Sequence, residues 1–386
     1  MDDHRRIAVS RGFFIATIAV TVCYVPLALN YTLPLFAPGM SRWQDTVNTL
    51  INGREYALGD GSVEAVRHAA YAEHRVVMLV HTTLGAVALA LAMFQFSTRL
   101  RERQPAIHRW IGRAYLVLMS ISMLTALMFL LATPPAQHFI GPAFETQLRA
   151  LAMGTFGSAW YAVYAIRHRD VVRHRAWMTY SVAFMLTAPL LRIIWIAIQP
   201  VIPQHDLLTN IGAASLILGV AAPGAAVVAF MLNHRTSPDA AIASASQRVY
   251  AAVLIVAVVG SLAYAGLALR LPAPIPRSLA AFHLVPAWIA ILVTLAAVHR
   301  ARAQRNPARE QWLRRLLWGF AVAPTAASLF AQIVPPAFTP ADAIIAGGMD
   351  APGIPITIAF GLVVRAAARS RARADDQPEI AEVQSA

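Results

Sequence analysis

Two stretches of this sequence open an apolar run with the same reactive side chains. One is His108-Arg109-Trp110 with Arg113 and Tyr115, in PAIHRWIGRAYL, and the other is His174-Arg175 with Trp177, in VRHRAWMTY. A neutral imidazole is the commonest side-chain ligand for haem iron and other metals. Two histidines on different helices of a bundle can hold one haem axially. A plainer role competes with this, because arginine and tryptophan flank membrane helices at the headgroup level. Three further ionisable residues lie inside apolar runs, where they are costly and stand out as functional candidates. His81 is seven residues past His74, about 10 Å into its helix at the α-helical rise. Arg192, in PLLRIIWIAIQP, lies equally deep from the end of its run, and His283 is about 9 Å in. No Asp or Glu falls at that depth in any apolar run. Arg192 therefore calls for a ligand carboxylate such as a haem propionate, or for snorkelling to the headgroups. The cofactor-binding candidates are His81, His108, His174, Arg192 and His283. Of these, His108 and His174 are the candidate iron ligands, expected to face one interior cleft.

The elements that must position these residues follow from composition. The chain has 386 residues, 58% of them hydrophobic and 13% charged, with a mean hydropathy of +0.55. Soluble proteins carry about 25% charged residues, so lipid is the expected solvent. Ten apolar segments, near 12–33, 76–97, 110–132, 147–166, 177–198, 208–231, 249–268, 279–299, 315–334 and 351–367, read as membrane helices. The net charge of +13 comes entirely from arginine, since the chain has no lysine. On a soluble domain such charge would suggest nucleic acid, but here the arginines sit in short loops between apolar runs. With the N-terminus inside, 24 arginines fall inside, 7 outside and 1 within a helix. That asymmetry predicts both termini on the cytoplasmic side of a bacterial inner membrane. It also removes the nucleic-acid reading.

The expected fold is thus an all-α polytopic membrane bundle of about ten transmembrane helices. Residues 34–75 form the longest outer stretch, where Asp60-Gly61-Ser62 reads as a turn and N-cap before a short helix. A shift of 202 residues aligns His81 with His283, Arg103 with Arg305, Pro105 with Pro307, Trp110 with Trp312 and Pro134 with Pro336. It suggests a parallel internal repeat of segments 1–4 in segments 7–10. His108 becomes Glu310 in the second copy. The chain accordingly divides into an N-terminal bundle, 1–198, a C-terminal bundle, 199–370, and a polar tail, 371–386, expected to be disordered. The basic flank and apolar stretch at the start read as an uncleaved first helix. A lone cysteine, Cys23, excludes an internal disulfide, a C-x-x-C-H haem attachment and a cysteine zinc site. No phosphate-binding loop, dinucleotide glycine pattern, H-E-x-x-H or nucleophile elbow is present.

His81 and Gly85, Phe94-Gln95-Phe96, the His108–Tyr115 start, the Arg167–Met178 stretch and Leu191-Arg192 together resemble a bacterial membrane family, that of domain of unknown function 2306 (DUF2306). The resemblance spans about 75–195, and Ala92-Met93 departs from the Gly-Pro the family often carries there. Its histidine-bearing helices are in turn similar to the two-haem cytochrome b superfamily. What that similarity implies is haem b, transmembrane electron transfer, and a quinone or redox protein as partner. A transporter or permease for a small anionic substrate fits the parallel repeat, and a non-catalytic scaffold or sensor needs only the outer segment and packed helices. Reporter fusions after residues 55 and 140 are expected to read as external, and fusions after 105 and 240 as internal. An internal signal from residue 55 would overturn the topology.

Overall fold

The computed structural model describes residues 3–138, 140–203, 206–234, 245–271, 278–334 and 338–375. Pro335-Pro336 and most of the expected polar tail lie outside them. Among the described residues there is no strand, and nine spans are long and apolar enough to cross a membrane. A lipid environment explains the uniformity, because a spanning helix satisfies its own backbone. The protein is an all-α polytopic membrane bundle.

The first span is α1 (Asp3–Asn30), followed by three short helices outside the apolar runs: α2 (Trp43–Asn52), α3 (Arg54–Leu58) and α4 (Val63–Glu73). The expected cap is present, with Ser62 Oγ accepting the Ala65 N–H at 3.3 Å. Next come α5 (Arg75–Gln95), a short α6 (Thr98–Arg103), α7 (Pro105–Ala132) and α8 (Pro142–Arg167). The fifth expected segment is two helices, α9 (Val171–Met185) and α10 (Thr187–Val201), joined at Leu186. Then follow α11 (Leu207–Asn233), α12 (Gln247–Leu269), α13 (Leu279–Ala303) and α14 (Pro307–Ile333). The last span is also in two pieces, α15 (Pro340–Asp350) and α16 (Gly353–Asp375), joined through Ala351-Pro352.

Nine of the ten expected segments correspond to these apolar spans. The tenth, α8, is 26 residues long and less apolar. It begins before the apolar run because Glu145 and Arg149, one turn apart, pair with each other. Similarly, α15 begins well ahead of residue 351, where Thr339 and Asp342 form a reciprocal cap.

The shift of 202 residues superposes helix starts, since Pro105 and Pro307 each open a helix. Packing diverges around them: α1 leans on α5, whereas α12 leans mainly on α14. The stretch that forms the separate α6 in the first half aligns with the continuous end of α13 in the second. A closer local likeness joins Ala165–Arg173 to Ala301–Arg309. In both, an arginine adopts positive φ, 61° at Arg169 and 49° at Arg305. The next N–H, of Asp170 or Asn306, returns to the Ala165 or Ala301 carbonyl at 2.9 and 3.0 Å. The same Asp or Asn caps the following helix at 2.9 Å. His174 and Glu310 thus occupy equivalent first-turn positions. Glu310 is buried and accepts from Tyr250 Oη at 2.6 Å and the Ala245 N–H at 3.1 Å, with Arg302 beside it at 3.6 Å.

A tight crossing of the bundle lies at Gly347-Gly348 of α15. A β-carbon on Gly347 would overlap the Ala327 carbonyl oxygen of α14, and one on Gly348 would overlap Tyr264 Oη and Leu216. Lipid supplies no hydrophobic drive between helices, so small residues permitting close approach carry the packing. Gly347→Ala is expected to cost about 1–3 kcal/mol, lowering the thermal midpoint in detergent. Gly266→Ala, where nothing lies within 4 Å, should leave the midpoint unchanged or raise it.

Candidate binding cleft

His108 and His174 do line one cleft, at the end of the bundle where the arginines collect. It encloses about 2080 Å³ between α1, the ends of α5 and α8, α6, α7, α9, α10, α11, the start of α14 and α16. Up-and-down threading brings helix starts and ends to this one face, and with them their basic flanks. Arg109 and Arg113 come from α7 and Arg175 from α9. Arg11 of α1, Arg101 of α6, Arg167 of α8 and Arg371 of α16 complete the set. His234 is a third histidine, and among the described residues no Asp or Glu lines the cleft. The deeper wall is apolar, with Val182, Leu186 and Leu190 facing the alanines at 221, 222, 225 and 226 of α11.

The two histidines differ in how they are held. His174 Nδ1 lies 2.9 Å from the Ala162 carbonyl of α8, so that nitrogen carries the proton and Nε2 is left as an acceptor. His108 Nδ1 is buried without a partner. Its own carbonyl accepts from Gln95 Nε2 at 3.1 Å, which fastens the end of α5 to the start of α7. The two tryptophans differ as well. Trp110 is 67% exposed under the Arg113 guanidinium, as an interface anchor should be. Trp177 is a packing joint, with rings of Tyr161 and Phe360 at 5.3 and 5.6 Å.

Of the deeper candidates, His81 and Arg192 are neighbours and His283 is elsewhere. His81 Nδ1 lies 2.9 Å from the Ser122 carbonyl of α7, and Gly85, one turn on, leaves room for Ser122 Oγ. That pair explains the His–Gly spacing as a fastener of α5 to α7. Arg192 needs no ligand carboxylate. Its Nε donates to Gln44 Oε1 at 3.0 Å and Nη1 to the Ala188 carbonyl at 3.1 Å. The rings of Tyr31, Tyr24 and Trp195 surround the guanidinium at 5.4, 5.7 and 6.0 Å. An amide oxygen and aromatic faces serve where an anion was expected. His283 is fully buried beside Tyr264, with ring centres 4.9 Å apart. It addresses the Gly348 carbonyl, although neither ring nitrogen reaches hydrogen-bond geometry. Pro352 has no N–H to offer that carbonyl, which explains why it is free.

The expectation that no acid lies in a helix at depth is corrected. Glu145 is buried in α8, and Asp350 ends α15 with its Oδ2 2.8 Å from Thr146 Oγ1. Both fall in helical turns that extend beyond the apolar runs. The outer segment docks onto the bundle. Asn52 Nδ2 reaches the Ile196 carbonyl at 3.1 Å, and Asn210 Nδ2 reaches Tyr56 Oη at 2.8 Å. Burial raises the Tyr56 pKa.

A multi-pass helical membrane protein with an arginine-lined cleft at one end is the class this architecture defines. Residues 78–232 match the family described as "Predicted membrane protein (DUF2306)", a stretch that runs from α5 through α11 and holds His81, His108, His174 and Arg192. It extends past the 75–195 expected from motifs. No curated protein matches the chain, and neither does any solved structure.

His138, between α7 and α8, is buried against Phe129 with Nε2 unpartnered. Burial holds its pKa below the ordinary imidazole value. The unfolded chain therefore takes up this proton first, so stability is full above about pH 6.5 and falls as pH drops through that value. His138→Gln should flatten this acid-side loss in melting profiles, and an unchanged pH slope would remove His138 as its source.

Proposed function

We propose that the protein binds an anionic, partly apolar small molecule in the arginine-lined cleft and carries it across the membrane. The observation that carries this reading is the lining itself: seven arginines and three histidines with no carboxylate among the described residues, over a wall of alanine, valine and leucine. Clustered like charges in a low-dielectric cleft focus a field that draws anions, and guanidinium forks match carboxylate, sulfonate and phosphate oxygens. An apolar body would then lie against α11. By the positive-inside rule the mouth would open on the cytoplasmic side of a bacterial inner membrane, with both termini on that side.

Haem b is itself such a molecule, with acidic propionates on an apolar ring. One observation favours it specifically: the Ala162 carbonyl fixes the His174 tautomer, the arrangement that orients metal-ligating histidines. In that reading His174 and His108 would hold iron and the arginines would receive the propionates. Bound there, haem would supply one-electron transfer, with a quinone or redox protein as partner. Against this stands the level of the arginines, which adjoin both histidines in sequence and so crowd the iron position with charge.

The test uses the full chain in nanodiscs of zwitterionic lipid, titrated with a brominated alkylsulfonate. Trp312 lines the cleft, so bound probe should quench its fluorescence, and Trp312→Phe should remove that quenching. Arg113→Gln with Arg175→Gln should weaken binding about 10–100-fold, the worth of charge-assisted hydrogen bonds. Equal affinity in the double variant would sink the cleft reading. A Soret band in the same preparation, lost in His108→Ala/His174→Ala, would replace it with haem.

A further inference from the structure

In the half of the bundle away from the cleft lies a second polar site, which the cleft reading does not use. Asp350 sits at the end of α15, about 15 Å along the helix from Pro340. Thr146 Oγ1 is 2.8 Å from Asp350 Oδ2 and also 2.8 Å from the Ala143 carbonyl oxygen. A threonine hydroxyl has one proton to give. If it goes to Ala143, the contact with Asp350 is a hydrogen bond only when Asp350 is the donor. Both contacts are satisfied together by a protonated carboxyl.

The surroundings agree. Among the described residues Asp350 forms no ion pair, and Glu145 and Arg149 of α8 are engaged with each other. From α13 the titratable group facing α15 is His283, and from α12 it is Tyr264, whose hydroxyl donates to the Ile344 carbonyl at 3.0 Å. From α11 come Leu216 and Gly219, from α14 Ala327 and Ala331, none of them titratable. The cations of α14 and α16 lie at the arginine-rich end. On α15 itself, Asp342 is spent on the Thr339 cap. A carboxylate without a cation is the expensive form in such a place, and the neutral acid the cheap one.

We propose that Asp350 and Thr146 form a proton-binding site, in which the carboxyl carries an exchangeable proton at neutral pH. On release the Asp350 O–H bond breaks, the proton passes to water, and Thr146 turns its own proton from Ala143 to the carboxylate. The site is joined to the cleft by one span: α15 continues into α16, whose Ala366, Ser370 and Arg371 line the cleft. Proton exchange at Asp350 is thereby coupled to occupancy of the cleft. The coupling rests on the cleft reading, whereas the proton site does not.

The experiment is infrared spectroscopy of the full chain in nanodiscs at neutral pH. A protonated-carboxyl C=O band should be present, shift when aspartate side chains are carbon-isotope labelled, and vanish in Asp350→Asn. Thr146→Val should move the band by removing its hydrogen-bond partner. Labelled wild-type protein showing only carboxylate bands would overturn the site without reliance on any variant. For the coupling, alkylsulfonate affinity is measured against pH, since the probe's own charge is constant. Wild type should show a change of about tenfold, one proton's worth over one pH unit, and Asp350→Asn should not. Identical profiles would overturn the coupling and leave the proton site standing, whereas absence of probe binding would count against the cleft alone.

Discussion

The close approach of α15 to its neighbours at Gly347-Gly348 is the contact on which the rest of the bundle turns. No other residue type would let Ala327, Leu216 and Tyr264 come so near at once. With that backbone drawn in, Tyr264 finds the Ile344 carbonyl, His283 faces Gly348, and Asp350 meets Thr146. In lipid, where apolar faces gain nothing by leaving the solvent, van der Waals contact and interhelical hydrogen bonds must supply the association. One glycine pair here admits both.

At the arginine-rich end α13, α14 and α16 stay packed, with Val298, Ala301, Leu313, Leu317 and Val364 in one buried cluster. The cleft opens beside that cluster, where basic helix flanks meet and like charges cannot be brought together without cost. Its least fastened wall is α1, which leaves Ile15 and Val22 each 64% exposed, whereas α11 keeps a continuous buried face from Leu207 to Met231. The rigid wall is apolar and small-residue, and the mouth is cationic. The cationic mouth follows from the sequence pattern that puts 24 arginines in one set of alternate connections and 7 in the other.

The fold was legible because apolar runs and arginine asymmetry act at the scale of whole helices. His108 and His174 could be placed in one cleft from topology alone, since each begins a helix running the same way. What stayed hidden depended on partners distant in sequence. Hydropathy stops at Asp350, although it is helical, because nothing local reveals that Thr146, 204 residues away, meets it. The outer segment offered no sign that Gln44 would reach Arg192, 148 residues away. Likewise the repeat by 202 residues caught matching helix starts but not packing, which is decided by neighbours rather than by register. The likeness of Ala165–Arg173 to Ala301–Arg309 lies in backbone shape rather than residue type, with Asp170 answered by Asn306 and His174 by Glu310.

Arg192 shows why a single buried charge is a weak pointer to a ligand. Its depth and the lack of a nearby acid made it the most suggestive residue in the sequence, yet an amide oxygen, a helical carbonyl and three aromatic rings account for it. The arginines of the cleft are the reverse case. Each alone is an ordinary helix flank, explained by membrane insertion. What insertion does not explain is their convergence around an apolar wall with no carboxylate among the described lining residues. Orientation needs arginines on one side of the membrane; it does not need them around a shared cavity. The functional signal in this protein therefore lies in the arrangement of unremarkable residues, and the conspicuous one serves to seat the outer segment on the bundle.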